Sequence, residues 1–110
     1  MNQYVYLFIA IVAEVIATSS LKSSAVFTKL IPSLVSISGY VVAFYFLSLA
    51  LRTIPTAIAY AIWSGIGVGG IVIVAWLFQG QKLDTSAIIG ILFIVLGVII
   101  IYGLSDTVAQ

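Results

Sequence analysis

Glu14 is the residue on which any chemistry in this chain must turn. It stands near the middle of Tyr4 to Leu21, YVYLFIAIVAEVIATSSL. As a helix this run of about 18 residues spans roughly 27 Å, enough to cross a bilayer. A carboxyl at the centre of such a span costs on the order of 3 kcal/mol to insert, so an acidic residue kept there marks a proton or ion site. At helical spacing Leu7, Ala10, Ile11, Ala17, Thr18 and Leu21 share its face. Ala10 and Ala17 are small and leave space beside the carboxyl, and Thr18, one turn on, can donate a hydrogen bond to it. A structural carboxyl, protonated and tied to a hydroxyl on another helix, is the weaker account. No Lys or Arg lies within a span to neutralise Glu14, and a residue this costly to insert has a use.

Aromatic side chains supply the second constellation. In Tyr60-Ala61-Ile62-Trp63-Ser64-Gly65 the rings of Tyr60 and Trp63 share a face, and Tyr40 and Phe44 are again one turn apart. Aromatic faces attract cations by ~0.5 to 2 kcal/mol each, most when desolvated, and suit flat hydrophobic cations without precise hydrogen-bond geometry. An interfacial aromatic belt competes with this reading: it fits Tyr4 and Tyr6 well, Tyr40 and Tyr60 partly, and Trp63 poorly, about two turns inside its helix. The presence of Glu14 is what favours a cation site over the belt. The chain has no His and no Cys, which excludes disulfides and thiolate metal sites and removes the usual near-neutral base. With no nucleophile and base pairing in the spans, an enzyme, a metal and a cofactor are all unexpected.

The elements that must position these residues are membrane helices. The chain has 110 residues, 64% hydrophobic and 6% charged, too little polar surface to cover a water-soluble globule. We expect an all-α membrane protein, one domain over 1–110 with four transmembrane helices at about 4–21, 33–51, 56–78 and 87–104. Pro32 suits the first turn of the second helix, where its missing N–H would be unpaired anyway. Arg52 to Pro55 forms a very short turn, and Asp84, Thr85 and Ser86 offer N-cap oxygens to the fourth helix. Ala17-Thr18-Ser19 resembles a leader cleavage site, but no basic residue precedes it and Glu14 interrupts the apolar run, so the segment is expected to be retained.

Four spans put both termini on one side, with Lys22, Lys29 and Lys82 opposite and Arg52 on the terminal side. The positive-inside rule then favours cytoplasmic first and third loops, weakly enough that insertion in both orientations stays open. A net charge of +1 does not suggest nucleic acid as a partner. Gly65-Ile66-Gly67-Val68-Gly69-Gly70 lies mid-helix, where glycine permits either bending or close approach. Gly90 and Gly97 lie on one stripe two turns apart, as in a dimer seam of small residues. Four helices enclose little beyond their own side chains, so a drug-sized pocket almost requires a dimer.

On these residues the chain resembles the small multidrug resistance family, and within it the quaternary-ammonium exporters. The likeness is carried by Tyr4-Val5-Tyr6-Leu7, Ala13-Glu14-Val15-Ile16-Ala17-Thr18 with Leu21-Lys22, Ile54-Pro55-Thr56-Ala57-Ile58-Ala59-Tyr60-Ala61-Ile62-Trp63-Ser64-Gly65, Leu83-Asp84, and Gly90 to Gly97. It implies a bacterial inner-membrane antiporter, working as an antiparallel homodimer, that exchanges protons for lipophilic cations. By position, Glu14 of each subunit binds protons and substrate in competition, and Trp63, Tyr60, Tyr40 and Tyr4 line or gate the pocket, with Phe44 beside Tyr40. Leu7, Ala10, Ala17 and Thr18 share the Glu14 face, Gly65 and Gly67 lie at a hinge, and Gly90 and Gly97 in the dimer interface.

The chain departs from the family's pattern at Val26, where a glycine is common, at Gly69-Gly70 and Ala43, which replace bulkier or hydroxylated residues, and at Asp106 in the tail. Two rivals remain. The guanidinium-exporting branch has a tryptophan soon after the central Glu and a Gly-Thr-x-Tyr approach to helix three, where this chain has Ala17 and Ala57-Ile58-Ala59-Tyr60. A non-transporting membrane subunit would not need Glu14 to titrate.

Overall fold

The computed structural model describes residues 2–104; Asp106 and the rest of the tail from Ser105 lie outside them. Four α-helices make up the described chain, α1 (Gln3–Ser23), α2 (Leu30–Ala50), α3 (Thr56–Phe78) and α4 (Thr85–Leu104), with no strand among the described residues. Each is long and apolar enough to cross a membrane. The shortest has 20 residues, about 30 Å at ~1.5 Å per residue, and so matches the hydrocarbon thickness.

The helix ends have local causes. Asn2 caps α1, its Oδ1 accepting from the Tyr4 N–H at 2.7 Å. Beyond α1 the fully buried Ser24 organises the loop. Its hydroxyl donates to the Leu21 carbonyl at 2.6 Å and accepts from the Phe27 N–H at 3.1 Å, while its own carbonyl accepts from Thr28 and Lys29. Between these bonds Ala25, Val26 and Phe27 all take left-handed backbone angles, φ 49°, 62° and 63°. That conformation crowds any Cβ, and a β-branched one most.

α2 starts at Leu30 rather than near Ser33, because Pro32 sits inside the first turn, where it lacks only an N–H that the helix leaves unbonded. α3 ends at Phe78 with Gln79 as its cap, and the φ of +67° at Gly80 lets the Gln81 N–H turn back to the Ala75 carbonyl at 3.0 Å. α4 begins at Thr85 rather than Ala87, with Asp84 as its cap: Asp84 Oδ1 accepts from the Ala87 N–H at 2.9 Å.

Two compact units result, one up to Arg52 holding α1 and α2 and one from Thr53 on holding α3 and α4. Within the first, Thr18 meets Tyr40 and Tyr6 meets Phe46, so the two helices run antiparallel. Within the second, Gly65 faces Val98 and Gly69 faces Val95, again antiparallel. The buried positions are mostly small: Ala10, Ala17, Ala43, Ala50, Ala59, Ser33 and Ser36, with Gly65 and Gly67. Large residues such as Phe8, Phe44, Trp76 and Phe78 are exposed. That inversion is expected where the surroundings are hydrocarbon. Lipid gives large side chains no reason to hide, and small ones let backbones approach.

Candidate functional site

The site is built at a close contact between α1 and α2. Gly39 of α2 has no Cβ, and one placed there would lie 2.8 Å from the Ala17 Cβ and 3.0 Å from the Ala13 carbonyl oxygen. Glycine is therefore what lets the two backbones touch at this level. Ser36, one turn earlier on α2 and fully buried, donates its hydroxyl to the Ala17 carbonyl, using the carbonyl's second lone pair across the helix contact. Together these residues fix the height of α2 against the Glu14 turn.

That register brings Tyr40 to Thr18. Thr18 Oγ1 donates to Glu14 Oε1 at 2.8 Å, and the same oxygen is 2.7 Å from the Tyr40 hydroxyl. A hydroxyl has one hydrogen, and Thr18 directs its own at the carboxylate. Tyr40 is then the donor to Thr18, and a chain of hydrogen bonds runs from Tyr40 through Thr18 to Glu14. Glu14, Thr18 and Tyr40 are all half-buried. The Tyr40 ring lies 6.4 Å from the mainly exposed ring of Phe44, tilted by 21°, so this aromatic pair sits one residue beyond the carboxylate's hydrogen-bond partner. The arrangement offers a single anionic group, oriented by a hydroxyl, beside aromatic faces. Chemically it can hold a proton or a large apolar cation.

The other residues expected near Glu14 differ in exposure. Leu7, Ala10 and Ala17 are buried to 1%, 0% and 0% exposure, so in the single chain their side chains are packed inside it. Tyr4 is half-buried at the start of α1. A shallow groove of about 410 Å³ between α1 and α2, walled by Ala13, Ile16, Leu34 and Val42, has no charged lining and is no seat for a cation. Among the described residues no three His, Cys, Asp or Glu side chains gather as metal ligands.

In the second unit Tyr60 is 72% exposed and Trp63, one turn on, is half-buried. α3 runs as one helix through Gly65 and Gly67, both buried. A Cβ on Gly65 would overlap Val98 Cγ2, 1.8 Å away, so this glycine is a point of close approach between α3 and α4. Gly90 and Gly97 have nothing within 4 Å of an added Cβ, and Val98 is the buried residue of α4. The glycine stripe of α4 thus lies open.

Sequence reasoning found the Thr18 bond to Glu14, because four residues is one helical turn. It missed Ser36, Gly39 and Ser24. The signal for the first two was the small-residue spacing of Ser33, Ser36, Gly39 and Ala43 along α2, which reads as a packing stripe; nothing marked Ser24 as the hub of its loop.

The model of the family described as "Small Multidrug Resistance protein" matches residues 2–94. The chain is 56% identical to the quaternary ammonium compound-resistance protein QacE of Escherichia coli over the full length of both. It is 52% identical to the quaternary ammonium compound-resistance protein QacF of Klebsiella aerogenes, again over the full length of both. Against the multidrug transporter EmrE of Escherichia coli K12 it is 51% identical, with 96% of each chain covered.

Proposed function

The chain belongs to the small multidrug resistance family, as a multi-pass protein of the bacterial inner membrane, and from that premise we propose that it is a proton-coupled antiporter exporting lipophilic aromatic cations such as quaternary ammonium compounds. The observation that carries this reading is Glu14, a carboxyl midway along a membrane helix and oriented by Thr18. Its charge is costly in hydrocarbon unless a proton or a cation neutralises it. Either cargo satisfies it, and the two exclude each other, so each cation bound displaces protons and each proton bound displaces the cation. That exclusion is the coupling.

Trp63, Tyr60, Tyr40, Phe44 and Tyr4 supply aromatic faces for a cation without demanding hydrogen-bond geometry. Leu7, Ala10 and Ala17 back the site, and we assign the hinge of α3 to Gly65 and Gly67, where small residues leave the helix free to bend during exchange. One chain has too few walls for a drug-sized pocket, and the open Gly90/Gly97 stripe of α4 suits a seam with a second copy. We take the two copies to be antiparallel, so that a pair of oppositely inserted chains supplies the inverted symmetry on which alternating access is built. The identity to quaternary ammonium compound-resistance proteins favours this cargo over guanidinium.

Vesicles containing only this protein test the proposal. A proton gradient is expected to drive accumulation of an aromatic quaternary cation and not of guanidinium. Accumulation of guanidinium alone moves the protein to the other branch, and no gradient-driven flux of either overturns the antiporter reading.

A further inference from the structure

Tyr40 carries an aromatic ring and a hydroxyl, and the two point to separate tasks. The ring stacks with Phe44. The hydroxyl is bonded to Thr18, whose hydrogen is directed at Glu14 Oε1, so the Tyr40 O–H is engaged inside the protein. Resting on the proposed function, we infer that Tyr40 is a positioning residue for Glu14, acting through Thr18, and that this relay divides the carboxylate between protein and cargo. Oε1 is held by Thr18. Oε2, which accepts from no described residue, is left for the proton or the cation.

A threonine hydroxyl bonded only to a carboxylate one turn earlier on the same helix is free to rotate to other acceptors, because Thr has two common rotamers in a helix, one of which turns the hydroxyl to the carbonyl three or four residues back. A donor arriving from α2 removes that freedom: with Tyr40 on one lone pair, the Thr18 hydrogen is aimed at Glu14. Successive hydrogen bonds in a weakly polar interior also polarise one another, so the outer donor strengthens the inner bond it never touches. Since the donors sit on different helices, the relay exists only while α1 and α2 keep the register set by Gly39 and Ser36. Glu14 is thereby tied to the position of α2.

Glu14 is the chain's sole glutamate, so carboxyl-¹³C glutamate labelling gives one infrared carboxylate band that belongs to this site. In lipid bilayers, Tyr40→Phe, which keeps the ring and removes the hydroxyl, is expected to shift that band although Tyr40 does not touch Glu14. Thr18→Val should shift it further, Thr18→Ser should return it to the wild-type position, and Tyr40→Phe added to Thr18→Val should move it no more. A band unmoved by Tyr40→Phe, or moved equally in the Thr18→Val background, overturns the relay. Benzyltrimethylammonium is then added to the same samples. The wild-type band should respond, and should still respond in Thr18→Ser. If the wild-type band ignores the cation, Glu14 does not meet cargo and the proposed function falls, together with the assignment of Oε2. If it responds while Tyr40→Phe leaves it in place, the proposed function stands and the relay alone falls.

Discussion

Gly39→Ala places one methyl group where α1 and α2 touch, and its cost can be worked from the contact. The new Cβ would stand 2.8 Å from the Ala17 Cβ, whereas ordinary contact begins near 3.4 Å. The helices must therefore part by at least about 0.6 Å. Neither neighbour can yield alone, since one is a Cβ fixed to its backbone and the other, the Ala13 oxygen, is itself backbone. Overpacking of this kind costs ~1–3 kcal/mol, against a gain of up to ~1 kcal/mol for replacing a mid-helix glycine with alanine. Gly69→Ala isolates that gain, because its Cβ would meet only Val95 Cγ2 at an ordinary 3.9 Å.

The two variants should differ by the overpacking cost alone, ~1–3 kcal/mol, or about 5- to 150-fold in the unfolding equilibrium. Reversible unfolding in mixed micelles with increasing dodecyl sulfate, followed by tryptophan fluorescence, reads the difference. Because the 2.7 Å bond from Tyr40 to Thr18 spans the same contact, Gly39→Ala should also loosen the relay to Glu14. If Gly39→Ala is as stable as Gly69→Ala, or more so, α1 and α2 do not meet at this glycine and the geometry built on it is refuted.

Trp63→Leu should leave the protein folded and weaken aromatic cations by about 2- to 30-fold, the worth of one cation–π contact; an unchanged affinity, measured by equilibrium binding, removes Trp63 from the site. Gly97→Ile fills the open stripe of α4 and should give monomers in mild detergent that no longer bind cation, while a stable, cation-binding dimer places the interface elsewhere. Val26→Gly relieves a β-branched residue held at φ 62°, worth ~1–2 kcal/mol, less ~0.4–1 kcal/mol from the freer unfolded chain. The dodecyl sulfate midpoint should rise, and a lower midpoint would mean that the left-handed turn carries no strain.

The four spans and the Thr18 bond to Glu14 were legible because both follow from distances along one helix. Tyr40 could be read only as an aromatic one turn from Phe44. Its bond to Thr18 depends on how far α2 slides along α1, and no pattern within either helix records that. Soluble helices reveal such registers through a stripe of large apolar residues against a polar face. Here Phe8 and Phe44 are exposed while Ala17 and Ala43 are buried, and both faces read as apolar. The start of α2 was misplaced for a related reason. Leu30 and Ile31 are exposed at the head of the helix, where they look no different from loop residues.

At Gly65 sequence left bending and close approach open. The Val98 methyl shows the approach, which required knowing what α4 puts opposite.

The claim on which the account rests is that Glu14 holds either protons or a cation and never both. It is tested most directly by adding an aromatic quaternary cation to the purified protein in weakly buffered detergent solution and recording the proton release. The wild type is expected to release protons in step with binding, and its affinity for the cation to rise as protons are withdrawn from the solution. Glu14→Gln should release none. No release from the wild type at half-saturation, or equal release from Glu14→Gln, would contradict Glu14 as the coupling site.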